Sequence, residues 1–289
     1  MKKFWLLILV CFFLWPLTAT AFTVSPTRTL LTIDPGGQAK VFLNLRNDAV
    51  GVKKYRLETI SFSQNEKGEV IYELQASQAE NWVKTSVSDL TLNAGEERRI
   101  DYGIVIPKGA LPGSYYLALA VKELPTEEGE VGLSGQIVSL LTLQVAGEVM
   151  EKVEVRELVS LQSVYFSKPW VVELNLRNLS SVEVPVQGKV FLKDPLGEFV
   201  AMEKLSLGRD ILANSERRLQ ANLWEHEKLL MPGIYRLYFD ITYGKTGAQI
   251  EQEIAVWYLP DWLLAIATGL LILIILLLVL KSISRKRNV

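Results

Sequence analysis

Few residues in this chain have the chemistry for catalysis. It holds one histidine and one cysteine in 289 residues. No Gly-x-Ser-x-Gly elbow, Ser-x-x-Lys pair or His-Glu-x-x-His pair occurs. A Ser-His pair would have to be built around His226, which lies in Trp224-Glu225-His226-Glu227, just before a Pro-Gly turn. A metal there would need ligands from elsewhere, so His226 reads as a surface loop residue. Glu127, Glu128 and Glu130 cluster between two strand-like segments. Paired carboxylates can hydrolyse glycosides, but Pro125 and Gly129 mark this stretch as a solvated hairpin loop. Glu127 and Glu128 are therefore candidate binding contacts. Asn178-Leu179-Ser180 fits an N-glycosylation acceptor. No catalytic residue, cofactor or metal site is expected.

The elements around these residues start with the two apolar ends. Leu263 to Leu280 is an unbroken apolar run, preceded by Trp257, Tyr258 and Trp262 and followed by Lys281, Arg285, Lys286 and Arg287. About 20 apolar residues cross a bilayer. Aromatic residues favour its interface and Lys/Arg its cytoplasmic side. A single-pass anchor over 258–281 with a cytoplasmic basic tail, 282–289, is expected. At the other end, Lys2 and Lys3, an apolar stretch Phe4 to Leu17 and the small residues Ala19-Thr20-Ala21 read as a cleaved leader, 1–21. Cys11 falls inside that leader, so the mature chain has no thiolate and no disulfide framework. Export without disulfides points to a bacterial envelope. A net charge of −1 provides no basic field for nucleic acid.

An internal repeat organises what lies between. Leu43-Asn44-Leu45-Arg46-Asn47 recurs as Leu174-Asn175-Leu176-Arg177-Asn178. Leu92-Asn93-Ala94-Gly95-Glu96 is echoed by Leu212-Ala213-Asn214-Ser215-Glu216, and Leu111-Pro112-Gly113-Ser114-Tyr115 by Met231-Pro232-Gly233-Ile234-Tyr235. The order is kept, so two modules are expected, 22–147 and 148–257, the first with an insertion between Ser61 and Glu80.

Each module reads as strands. Val41, Leu43 and Leu45 alternate with Lys40, Asn44 and Arg46, as in a half-buried strand. After each Pro-Gly, Tyr115, Leu117, Leu119 and Val121 match Tyr235, Leu237, Phe239 and Ile241 on one face. Turn signals at short spacing with no helical period before the anchor predict an all-β chain. The expectation is two tandem immunoglobulin-like antiparallel β-sandwiches followed by one transmembrane helix. On the other face, module one offers Tyr116, Ala118 and Ala120 where module two offers Arg236, Tyr238 and Asp240. An apolar outward set in one module only marks Tyr116, Ala118 and Ala120 as candidate binding residues, unless the insertion covers them.

Phe22-Thr23-Val24-Ser25-Pro26-Thr27-Arg28, then Asp34-Pro35-Gly36 and the Leu-Arg-Asn-Asp strand ending, resembles the first domain of PapD-like periplasmic pilus chaperones. The same stretch joins Asn81-Trp82-Val83, Leu92 to Glu96, Ile106-Pro107 and Pro112-Gly113-Ser114-Tyr115 in resembling the WxL-interacting proteins of bacterial surfaces. Those carry a peptidoglycan-binding immunoglobulin-like domain, a second β-domain and a C-terminal span. The second resemblance implies a non-catalytic envelope protein that binds wall glycan (peptidoglycan) or another surface protein, with both β-domains outside the membrane. The first implies a tethered assembly chaperone acting by strand addition, with Arg28 holding a partner's terminal carboxylate. That family also uses a basic residue from the last strand of the domain, and Gln136 to Gly147 contains none.

Overall fold

The computed structural model describes residues 22–73, 76–125, 135–160, 162–167, 170–206, 208, 210–223 and 231–287. Residues 1–21, the expected leader with Cys11, and the expected loop carrying Glu127 and Glu128 lie outside the described residues, as does His226. The chain divides into two compact units at Gly147/Glu148, with the segment Ser63–Ile71 grouping with the second unit. Both units are antiparallel β-sandwiches of immunoglobulin-like architecture.

In the first unit the strands are β1 (Phe22–Ser25), β2 (Arg28–Ile33), β3 (Gln38–Asn47), β4 (Lys53–Gln64), β5 (Val70–Tyr72), β6 (Val83–Thr85), β7 (Asp89–Leu92), β8 (Glu97–Val105), β9 (Gly113–Leu124) and β10 (Gln136–Val145). One sheet runs β1-β3-β8-β6; the other runs β2-β10-β9-β4-β5, with β7 on β4. The chain passes between sheets at the cis Ser25–Pro26 bond. Thereafter β2 lies parallel to β10, while the neighbouring pairs are antiparallel. Leu43, Leu45, Tyr102, Ile104, Leu117, Leu119 and Leu141 fill the space between the sheets. Their alternation along each strand is the period-two pattern of a face that buries against its opposite.

The second unit repeats this plan with β11 (Val153–Ser160), β12 (Val164–Tyr165), β13 (Val171–Asn178), β14 (Val186–Lys193), β15 (Phe199–Ser206), β16 (Glu216–Asn222), β17 (Gly233–Tyr243) and β18 (Ala248–Tyr258). Its sheets run β11-β13-β16 and β12-β18-β17-β14-β15. The first strand again divides between sheets: β11 is antiparallel to β13, and β12 parallel to β18. Trp170, Leu174, Leu176, Val190, Tyr235, Leu237 and Phe239 form its core. Helix α1 (Asp261–Arg287) follows, and Asp261–Lys281 is long and apolar enough to cross a membrane.

The repeat extends to individual hydrogen bonds. Asn47 Nδ2 donates to the carbonyls of Gly51, Leu92 and Asn93, and Asn178 Nδ2 to those of Val182, Ile211 and Leu212. Each carboxamide oxygen accepts the backbone N–H two residues on, from Ala49 and Ser180. Both asparagines are fully buried, so each ties its strand end to the turn that follows it and to a segment that ends pairing nearby, at Leu92 of β7 or at the Val184–Ile211 bridge. This equivalence aligns Leu92 with Ile211, one residue earlier than the letters suggest. It places Gly95 (φ 73°) on Asn214 (φ 56°), the two left-handed positions of the matching turns. Asparagine tolerates that conformation better than other side chains. Tyr115 and Tyr235 also correspond: each hydroxyl donates to the carbonyl four residues back, Leu111 and Met231.

Between Ser61 and Glu80 the insertion splits its allegiance. Glu80 accepts from the backbone of Ser61 and Ser77, and Phe62 packs on Tyr116 with ring centroids 5.6 Å apart. A short 3-10 turn at Gln78–Trp82 sets Trp82 edge-on to Tyr115 at 4.5 Å. Ser63–Ile71 belongs to the second unit, where Arg218 N donates to the Glu66 carbonyl and its guanidinium meets the Glu66 carboxylate at 2.6 Å.

Candidate functional site

The open stretch of strand β10 is the feature of the first unit best suited to a partner. β10 pairs with β9 from Gln136 to Val145, but with β2 only from Leu140 to Val145. Gln136 to Ser139 therefore have a strand on one side only, among the described residues. Which groups face the open side follows from the neighbouring bonds. Leu140 N donates to the Thr27 carbonyl, on the β2 side, and Glu123 N donates to Gly135 O, on the β9 side. Backbone direction alternates along a strand. Gln136 and Val138 thus direct their N–H and C=O outward, and Ile137 and Ser139 direct theirs to β9. Ser139 Oγ also donates to the Pro26 carbonyl, which pins β10 to the crossing between sheets.

Arg28 stands beside the end of this open edge, opposite Leu140 in the parallel register, and is exposed. The register puts Leu140, Ala118 and Ile60 side by side on the outward face, and Val138, Ala120 and Glu58 in the next row. Ala118 and Ala120 are only 0% and 1% exposed. They do point outward, as their place in the sequence pattern required. Their methyl groups lie below the level of the larger side chains on both flanking strands, so a ligand on this face meets Ile60, Val138 and Leu140 first. Tyr116 is half-buried against Phe62. Tyr116, Ala118 and Ala120 thus share one face, with the two alanines at its floor, and the neighbouring edge, whose signal is the unequal lengths of β2 and β10, was not among the expected site residues. Tyr115 departs from its expected burial: it is half-buried, while Tyr235 is fully enclosed. Asn178 is enclosed too, which removes its side chain from glycosylation in the folded module.

The second unit carries a groove of about 690 Å³ on its outward face. Gln187, Lys189, Lys204, Asp210, Asp240 and Thr242 line it. Lys189 lies directly across from Lys204 on β15 and from Asp240 on β17. Mixed charge and amide groups suit a polar ligand, and this lining differs in kind from the apolar face of the first unit. Among the described residues no group of three or more His, Cys, Asp or Glu is placed to hold a metal.

Titration in both units is dominated by buried phenols. Burial, then the nearby Glu123 and Asp48 carboxylates, push Tyr55 up to about 12 from its ordinary 10.0. Burial alone does the same for Tyr102, and burial with the charge of Asp194 for Tyr235. The folded state therefore favours the neutral phenol. Its stability is fully present below about pH 10 and is lost as pH rises toward about 12. Circular dichroism against pH is expected to show cooperative alkaline unfolding in that window. Tyr102 carries a buried hydroxyl with no hydrogen-bond partner among the described residues. Replacing that orphan group by hydrogen (Tyr102→Phe) removes a buried cost. The variant should unfold at higher pH with no loss at pH 7.

Comparison with known proteins gives likeness in structure only. No family model matches the chain, and no curated protein matches it. Among solved structures it is similar to the Class 5 fimbriae chaperone CfaA, at 11% identity over 83% of this chain and 100% of that one, TM-score 0.43. It is similar to the E. coli chaperone DraB at 14% identity over 82% and 98%, TM-score 0.41. A chain of the chaperone–tip adhesin complex of CFA/I fimbriae biogenesis gives 12% identity over 83% and 99%, TM-score 0.44.

Proposed function

We propose that this chain is a non-catalytic, membrane-tethered envelope protein whose first module holds an extended segment of another surface protein along the open edge of β10. The observation that carries the reading is the pair of outward backbone groups at Gln136 and Val138, beside an apolar outward face and the exposed cation of Arg28. An added strand takes its affinity from main-chain hydrogen bonds and its specificity from alternate side chains. Here Val138, Leu140 and Ile60 would receive those side chains, and Arg28 would suit a chain-terminal carboxylate. The basic tail after α1 supports an orientation with both β-modules outside the membrane. The tether favours retention of a partner at the membrane over its delivery elsewhere, which sets the role apart from a shuttling chaperone. The layout of two β-modules and a C-terminal span, which resembles the WxL-interacting proteins, supports the same role. A second reading, wall glycan as ligand, has its own support in the polar groove of the second module.

The two readings separate in cells. A photo-reactive side chain at Gln136 of the full-length protein is expected to cross-link to a protein, and Val138→Pro should abolish the product. Proline there removes an outward N–H and leaves the β9 ladder intact. Cross-linking that survives Val138→Pro contradicts strand addition. Glycan captured through a probe at Lys189, with none at Gln136, establishes the second reading.

A further inference from the structure

The second unit ends in a ring of exposed apolar side chains, all at the end from which α1 leaves. Trp257 and Tyr258 close β18; Ile234 is the cross-strand partner of Trp257. Val164 and Tyr165 lie parallel to Trp257 and Tyr258, so Phe166 comes next to Leu259. Met231 precedes the same strand start and accepts the Tyr235 hydroxyl on its carbonyl. The turn carrying Leu196 is at this end as well, because Pro195 lies so close to Gly233 that a Cβ there would meet it at 2.7 Å. Phe166, Leu196, Met231, Ile234, Trp257 and Trp262 are each between 41% and 75% exposed. The opposite end differs. Its turns at Gly244–Gly247 and Ala213–Ser215 are small and polar, and its exposed large apolar residues among those described are Leu179 and Met150, the latter next to Glu151 at the Gly244 turn.

Single exposed apolar residues are ordinary, but a set gathered at one end marks an interaction surface. The connection to the helix identifies the occupant. Only Leu259 and Pro260 separate β18 from α1, and both flanks are hydrogen-bonded: Leu259 N donates to Tyr165 O, and Leu263 N to Pro260 O. Two residues span at most about 7 Å. A bilayer holding α1 would meet these side chains before any protein partner could. Behind them, Trp170 packs against Tyr165, Tyr235 and Tyr258 at 5.3, 4.9 and 5.4 Å, which fixes the strand ends that carry the ring.

We propose that this end of the second module is a lipid-binding surface, its loop tips seated in the interfacial layer of the leaflet that α1 enters. The proposal rests on the reading of α1 as a membrane span. Tryptophan favours that layer because its apolar body is buried while its N–H stays wet, and phenylalanine, leucine and methionine bury their apolar side chains at its acyl boundary. Four separate attachments would hold the module upright on the surface, where the span alone would let it pivot.

The test uses the full chain carrying Cys11→Ser, reconstituted in phosphatidylcholine–phosphatidylglycerol vesicles. Single cysteines replace Leu196, Phe166, Lys245 or Ile274 and carry an environment-sensitive fluorophore. A nitroxide on the upper acyl chain is expected to quench the labels at 196 and 166 by about twofold or more, as for side chains buried at the headgroup boundary. The label at 245 should be unaffected, and that at 274 quenched by a nitroxide near the bilayer centre. Quenching at 274 with none at 196 and 166 overturns the proposal and leaves the span intact. No quenching at 274 overturns the span reading, and the proposal with it.

Discussion

Replacing Asn178 by alanine is expected to destabilise the second module by about 3–5 kcal/mol. Its carboxamide serves three buried carbonyls and one backbone N–H, and the residue has no exposure to water. Leaving a buried polar group without a partner costs about 1–3 kcal/mol. Here the Val182 carbonyl and the Ser180 N–H lose the bond to Asn178, while the Ile211 and Leu212 carbonyls lose one bond and keep those from Val184 N and Ser215 N. The sum is therefore about two full penalties plus two weakened acceptors. Asn178→Asp should fare as badly, because an oxygen then faces those carbonyls. Asn47→Ala should act alike in the first module, where the same oxygen also accepts from the Tyr55 hydroxyl. Denaturant unfolding of the detergent-solubilised chain measures both. A loss under about 1 kcal/mol at Asn178 would mean that water already serves the carbonyls.

The second large effect is at Trp170. This side chain is 1% exposed and touches three aromatic rings from β12, β17 and β18. Trp170→Ala is expected to cost about 3–5 kcal/mol through lost burial and the cavity left behind. Trp170→Phe keeps the ring stack and removes an indole N–H that has no hydrogen-bond partner among the described residues, so it should cost much less. Equal losses in the two variants would show that the volume of the indole, and not the stack, sets the stability.

Much of this fold is readable from the residues. Leu43-Asn44-Leu45-Arg46-Asn47 and its copy announce a strand by alternation, and Pro-Gly-x-Tyr fixes the start of another. What the letters cannot show is why Asn47 and Asn178 end those strands. Their partners lie on segments 45 and 34 residues away, and only the closed sandwich brings them near. The same limit misplaced the second repeat by one residue: the letters align Leu92 with Leu212, while the hydrogen bonds align it with Ile211. Ala118 and Ala120 show how alternation gives direction without depth. They face outward, yet both are buried, beside the larger Ile60, Val138 and Leu140 on adjacent strands. The open edge at Gln136–Ser139 was hidden for another reason. It depends on where β2 stops pairing, a property of register across 112 residues from Arg28 to Leu140.

Strand addition at that edge can be followed by amide hydrogen exchange on the full-length protein in lipid nanodiscs, alone and with a synthetic peptide copying the segment that cross-links to Gln136. The amides of Gln136 and Val138 are expected to become protected, by about tenfold or more at saturating peptide. Ile137 and Ser139, already bonded to β9, should change little, and the amides around Lys189 and Lys204 should not change. Protection centred on Lys189 and Lys204, with Gln136 and Val138 exchanging as before, would contradict strand addition.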